Sequence, residues 1–118
     1  MRHFSVLVGA RALMKLNLDG TRVQNLFPLA GTVATLERLS VSGCRGVFDI
    51  SVLEGAGRLT DVNLSGTRVA DITPLAGSAA TLRVVRLVGC SGVHDVTVLD
   101  GAPELHTLDL QGTGVRRR

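Results

Sequence analysis

The chain has no tryptophan and no tyrosine, and its whole aromatic complement is three phenylalanines in 118 residues. Such a core cannot be organised around large rings. It has to be aliphatic, and a hydrophobic content of 45% supplies the material. Enzymes with a single large layer rarely have this composition; a stack of identical aliphatic layers does. No apolar run approaches the ~20 residues that a membrane-spanning helix needs, so no membrane span is expected. Only two cysteines occur, and their spacing makes no pattern that points to secretion. The compartment stays open on this basis, with a lean to the cytoplasm. Charge of one sign is also scarcer than the total suggests. The 13 Lys and Arg exceed the 10 Asp and Glu only through Arg116, Arg117 and Arg118. A nucleic-acid binder is expected to carry its basic residues on the folded surface, so no nucleic-acid partner is expected.

What the chain does have is a repeat, which is the first feature to seek in a sequence of this length. Complete units begin at Leu13, Leu36, Leu59 and Leu82, each 23 residues long. They divide the chain into 13–35, 36–58, 59–81 and 82–104, with a partial unit over 105–115 and a basic tail over 116–118. The units alternate. Those at Leu13, Leu59 and Leu105 carry Gly-Thr. Those at Leu36 and Leu82 carry Gly-Cys and one extra residue before the next valine, balanced by a deletion later in the unit. The larger period is therefore a 46-residue pair. The opening residues fall into the same scheme. Phe4-Ser-Val-Leu-Val-Gly-Ala10 matches Ile50-Ser-Val-Leu-Glu-Gly-Ala56 and Val96-Thr-Val-Leu-Asp-Gly-Ala102. Residues 1–12 thus read as the tail of a Cys-type unit, in preference to the signal peptide that Met1–Met14 faintly resembles. Both ends stop inside a repeat, as expected for part of a longer array or a truncated descendant of one.

Within each unit the segment L-x-x-L-x-L alternates apolar and polar residues, the period of a half-buried strand. Leu16 and Leu18, Leu39 and Val41, Val62 and Leu64, Val85 and Leu87, and Leu108 and Leu110 are expected to point inward. A glycine follows each strand and lets the chain turn: Gly20, Gly43, Gly66, Gly89 and Gly112. A second apolar set then returns, either Val23, Leu26 and Leu29 or Val47, Ile50 and Leu53. Pro28 and Pro74 point to a short helical turn on that side. One unit buries too little apolar surface to offset the entropy of ordering its own backbone. The units must therefore stack, and stability comes from their interfaces.

The pattern L-x-x-L-x-L-x-G-[TC] resembles the leucine-rich-repeat family over nearly the whole chain. Asp71-Ile-Thr-Pro-Leu75 is similar to the short bacterial units of that family. The L-x-G-C-x-G-V units resemble cysteine-containing repeats and the arrays of trypanosomatid parasites. The resemblance implies an α/β repeat: a right-handed curved solenoid with a parallel sheet on its concave face and short helical or irregular convex segments. It also implies a protein-interaction module. The family commonly has asparagine where this chain has Thr21, Cys44, Thr67, Cys90 and Thr113. Thr replaces part of the asparagine's hydrogen bonding and Cys does so weakly, so a less rigid turn is expected on this edge.

Other chemistries find little support. Cys44 and Cys90 stand two layers apart, roughly 10 Å, beyond the ~7 Å that a disulfide tolerates, so two buried thiols are expected. His94 adjoins a Cys-type turn, but its counterpart in the other Cys-type unit is Phe48. It is a variation on a structural column rather than half of a Cys–His pair. Asp49, Asp71 and Asp95 are expected to serve turns. The glycines recur at the repeat period and do not form a phosphate loop, and Ser42, Ser65 and Thr67 lack an oriented base. No cofactor, metal or catalytic residue is expected. What varies is the set of outward strand positions, while the inward columns stay aliphatic. Lys15, Asn17, Arg38, Asp61, Asn63, Arg86 and Asp109 are the candidate partner-binding residues of the concave face. The partner is an unidentified protein. A structural fragment that self-associates through uncapped ends is the alternative.

Overall fold

The computed structural model describes residues 15–29 and 33–115. The partial unit over 1–12 and the tail over 116–118 lie outside the described residues. Five three-residue strands form one parallel sheet in chain order: β1 (Lys15–Asn17), β2 (Arg38–Ser40), β3 (Asp61–Asn63), β4 (Val84–Arg86) and β5 (Thr107–Asp109). Each strand pairs with the next in a register offset of one unit. Leu16, Leu39, Val62, Val85 and Leu108 therefore stack in a single column. The backbone ladder continues past the strand ends: Leu18 N donates to Ser40 O at 2.8 Å, and Gly20 N to Ser42 O at 2.8 Å. This continuation lets strands of only three residues hold the layers together.

The return side is built from 3-10 turns at Phe27–Leu29, Ser51–Gly55, Thr73–Ser78 and Thr97–Leu99. Asn25, Asp49, Asp71 and Asp95 start these turns. Each side-chain Oδ1 accepts the N–H two residues ahead, at 2.8, 2.8, 2.9 and 2.8 Å. This is the local bonding that makes Asn and Asp turn-formers. The expected role of the three aspartates is the observed one. Pro74 sits in the first turn of its 3-10 segment, where its fixed φ fits and no N–H is lost.

Between sheet and return side lies one continuous aliphatic core. Leu36, Leu59 and Leu82 lead their units into it; Leu39, Val62 and Val85 enter from the sheet, and Leu29, Leu53, Leu75 and Leu99 from the turns. The end layers are less enclosed: Leu16, Leu105, Leu108 and Leu110 are only partly buried, whereas their counterparts in the middle layers are wholly buried.

The glycine after the middle strand is required on two grounds. Gly66 has φ +73°, and a Cβ there would lie 3.2 Å from Gly43 N and 3.3 Å from Gly43 Cα. The left-handed backbone and the close approach of the layer beneath both exclude side chains.

The Thr and Cys columns do more than the sequence suggested. Thr21 Oγ1 donates to Leu18 O at 2.8 Å within its own unit. Cys44 Sγ donates to the same Leu18 O at 2.9 Å from the next layer. The arrangement repeats one pair along, where Thr67 Oγ1 reaches Leu64 O at 2.7 Å and Cys90 Sγ reaches it at 2.9 Å. The alternation of Gly-Thr and Gly-Cys is thus a two-layer hydrogen-bonding unit. Where a looser edge was expected, two donors converge on one carbonyl. Both thiols are free and buried.

Candidate functional site

The alternation of each strand places its first and third residues on the outer face of the sheet, above the aliphatic column. The first positions form the column Lys15, Arg38, Asp61, Val84, Thr107, and the third positions form Asn17, Ser40, Asn63, Arg86, Asp109. Six of the seven expected residues, all except Asp109, line one shallow depression of about 430 Å³. Asp109 joins them through Arg86, whose Nε lies 3.4 Å from Asp109 Oδ2, with both side chains about half exposed. Such an exposed pair contributes little stability; it fixes where the Arg86 guanidinium points.

The structure also assigns internal duties to some of these residues. Asn17 Oδ1 accepts Asp19 N at 2.8 Å and Asn63 Oδ1 accepts Ser65 N at 3.0 Å, so both asparagines shape the turn after their strands. Their amide NH2 groups are what they can offer a partner. Asp61 Oδ1 accepts Thr60 Oγ1 at 2.9 Å. Lys15 and Arg38, register partners on β1 and β2, are exposed and carry no ion pair or side-chain hydrogen bond among the described residues.

Sequence reasoning missed Asp19. Its carboxylate accepts the Ser40 hydroxyl and, at 2.8 Å, Ser42 N, tying the end of the first layer to the second. The signal was available in part, since Asp19 stands in an outward column directly before a turn glycine.

On the opposite, return side a second depression of about 470 Å³ runs past Asp71, His94 and Asp95. Its acidic groups are already engaged. The N–H of Thr73, then its hydroxyl, holds the Asp71 carboxyl below the ordinary value of 3.8, against opposing effects of desolvation and then of the Asp95 charge. The Thr97 hydroxyl, then its N–H, does the same for Asp95. His94 packs over Gly114, with Nδ1 3.3 Å from the Gly114 carbonyl. Among the described residues no group of three or more His, Cys, Asp or Glu is arranged to hold a metal ion. Among them, too, no helix is long and apolar enough to cross a membrane.

A parallel sheet advancing one strand per 23-residue unit, with short 3-10 returns, defines the fold as a leucine-rich-repeat solenoid, right-handed and of the α/β repeat class. Among solved structures the chain is similar to internalin C2 of Listeria monocytogenes, with a TM-score of 0.91 and 25% identity over 99% of this chain. It is also similar to a second internalin of that species, inlF, with a TM-score of 0.69 and 18% identity over 97% of this chain. The chain spans 50% of the internalin C2 structure and 39% of the inlF structure. No family model matches it, and no curated protein matches it.

Proposed function

We propose that this chain is a non-catalytic protein-binding module that docks its partner on the concave sheet face, within a larger receptor, antigen or scaffold. The observation that carries this reading is the contrast between two sets of positions on the same strands. The inward column is aliphatic in every layer, while the outward columns mix Lys, Arg, Asp, Asn, Ser, Thr and Val around one depression. A scaffold with an adaptable face has this organisation, and Arg is the residue type on it most often found at energetic centres of interfaces. The likeness to internalin C2 supports an interaction role for the architecture, and a parent protein with arrays like those of trypanosomatids is part of the proposal, resting on the sequence of the Gly-Cys units alone.

The test is charge reversal of both arginines, Arg38→Glu with Arg86→Glu. Partner capture is expected to be lost with the far-ultraviolet spectrum unchanged. Undiminished capture moves the site off the concave face. A second reading, self-association, has its own observation: Leu105, Leu108 and Leu110 are partly exposed where their columns are otherwise sealed. Light scattering over a concentration series separates the two, since a strict monomer throughout argues against stacking.

A further inference from the structure

The charges of the concave face are satisfied unevenly. Every carboxylate there has a partner. Asp19 takes the Ser40 hydroxyl and Ser42 N–H, Asp61 takes the Thr60 hydroxyl, and Asp109 takes Arg86. Among the described residues two cations have none. Lys15 and Arg38 lie directly opposite each other on adjacent strands, both exposed. Like charges in register cost stability, and neither cation recovers that cost within the described residues. Arg38 also faces Asp61 in register, yet among the described residues the ion pair on this surface is the one between Arg86 and Asp109. Of the titratable groups lining the depression, three are cations and one is a carboxylate.

The size of the face restricts what can sit there. Five strands at ~4.8 Å span about 19 Å, and three outward positions along a strand span about 13 Å. That is a few hundred Å², well under the ~800 Å² per partner of a standard interface. It accommodates six or so extended residues crossing the strands. The distribution of charge restricts it further. A nucleic-acid strand carries a phosphate at every step, and one lying across these strands would meet the Asp61 and Asp109 carboxylates after leaving Lys15 and Arg38. A protein segment can carry its acidic residues at one end only.

We infer that the Lys15–Arg38 end of the concave face is a docking site for a short acidic segment of a partner protein, whose carboxylates seat between the two cations. This rests on the reading of the concave face as the docking surface. Arg38 supplies a planar fork suited to a carboxylate, and Lys15 a compact charge beside it. Bound carboxylates would also relieve the repulsion across β1 and β2.

The probe is a fluorescent hexapeptide of three glutamates followed by three serines, acidic at one end only, followed by anisotropy on the full chain and compared with its counterpart of three glutamines and three serines and with a six-nucleotide single-stranded DNA. Binding of the glutamate peptide is expected to weaken about tenfold in Lys15→Glu, where attraction to its acidic end becomes repulsion. It is also expected to weaken as salt rises, because the contacts are exposed. The same variant places opposite charges in register with Arg38, so its thermal midpoint is expected to hold or rise. Weakened binding with a preserved midpoint is an outcome that simple damage to the fold would not give. Equal binding of the glutamine counterpart overturns the acidic preference, and so does no binding of the glutamate peptide at millimolar concentration; the concave-face reading survives both. Equal or tighter binding of the DNA overturns it in favour of a phosphate polymer. Binding that is lost in Phe48→Asp, on the return side, and retained in Lys15→Glu overturns both readings together.

Discussion

Gly66→Ala is expected to cost roughly 2–4 kcal/mol of stability, while the equivalent substitution Gly20→Ala costs roughly 1–2 kcal/mol. The two glycines share the same backbone, φ +73° and +69°. Each alanine therefore bears the same penalty for a left-handed conformation. They differ in what lies beneath. A Cβ at Gly66 meets Gly43 N at 3.2 Å and Gly43 Cα at 3.3 Å, whereas a Cβ at Gly20 meets nothing within 4 Å. The excess loss at Gly66 is the cost of forcing two layers apart against a backbone that cannot swing away. Urea denaturation of both variants reads it directly. Equal losses would mean that the layers are not in close contact at the turn.

The second large effect is expected at Leu59. This side chain is wholly buried in the central layer. Leu59→Ala removes its transfer free energy and leaves a cavity that neighbouring layers cannot fill without moving. A loss of about 3–5 kcal/mol follows, a large share of the 5–15 kcal/mol that holds a typical domain together. Leu105 stands in the same column but is only partly buried. Leu105→Ala is therefore expected to cost about half as much or less. In a solenoid each layer is stabilised by its neighbours, so the same deletion matters most where a neighbour lies on both sides. Similar losses at the two positions would argue for a core of another kind.

Much of the fold is legible in the sequence because its determinants are local or strictly periodic. The L-x-x-L-x-L alternation predicts all five strands, the recurrent glycine marks every strand-to-turn corner, and the aspartates announce the 3-10 turns two residues ahead. The features that escape have partners one layer away. Cys44 and Leu18 are 26 residues apart in sequence and 2.9 Å apart in space. Nothing in the spacing of the cysteines shows that their sulfurs reach back to the carbonyl the preceding Thr already holds. The extra residue of the Cys-type units has a similar explanation. It brings Gly46 under the Gln24 side chain and Gly92 under Ala70, where a Cβ would lie 2.5 and 3.1 Å from the atoms above. The sequence shows that a glycine is inserted; only the stacking shows what it makes room for.

The candidate site is legible to a lesser degree, for a related reason. Alternation identifies which residues face outward, and six of the seven chosen on that basis share one depression. It does not say which outward charges are already satisfied. Asn17 and Asn63 are partly committed to turns, Arg86 to Asp109, and Asp19 to the next strand, each through a contact made in the folded chain. With these and Asp61, which takes the Thr60 hydroxyl, set aside, Lys15 and Arg38 are left with no ion pair or side-chain hydrogen bond among the described residues. That distinction converts a general expectation of binding into a specific one about charge.

Carbodiimide footprinting of the chain bound to a captured partner, read by mass spectrometry, tests the central claim most directly. Carboxylates stand on both sides of the solenoid: Asp19, Asp61 and Asp109 with the sheet, and Asp49, Asp71 and Asp95 with the return turns. Protection of Asp61 and Asp109, with Asp49, Asp71 and Asp95 modified as in the free chain, is the expected result. Protection of the return-side set with the sheet-side set unchanged would contradict the concave face as the docking surface.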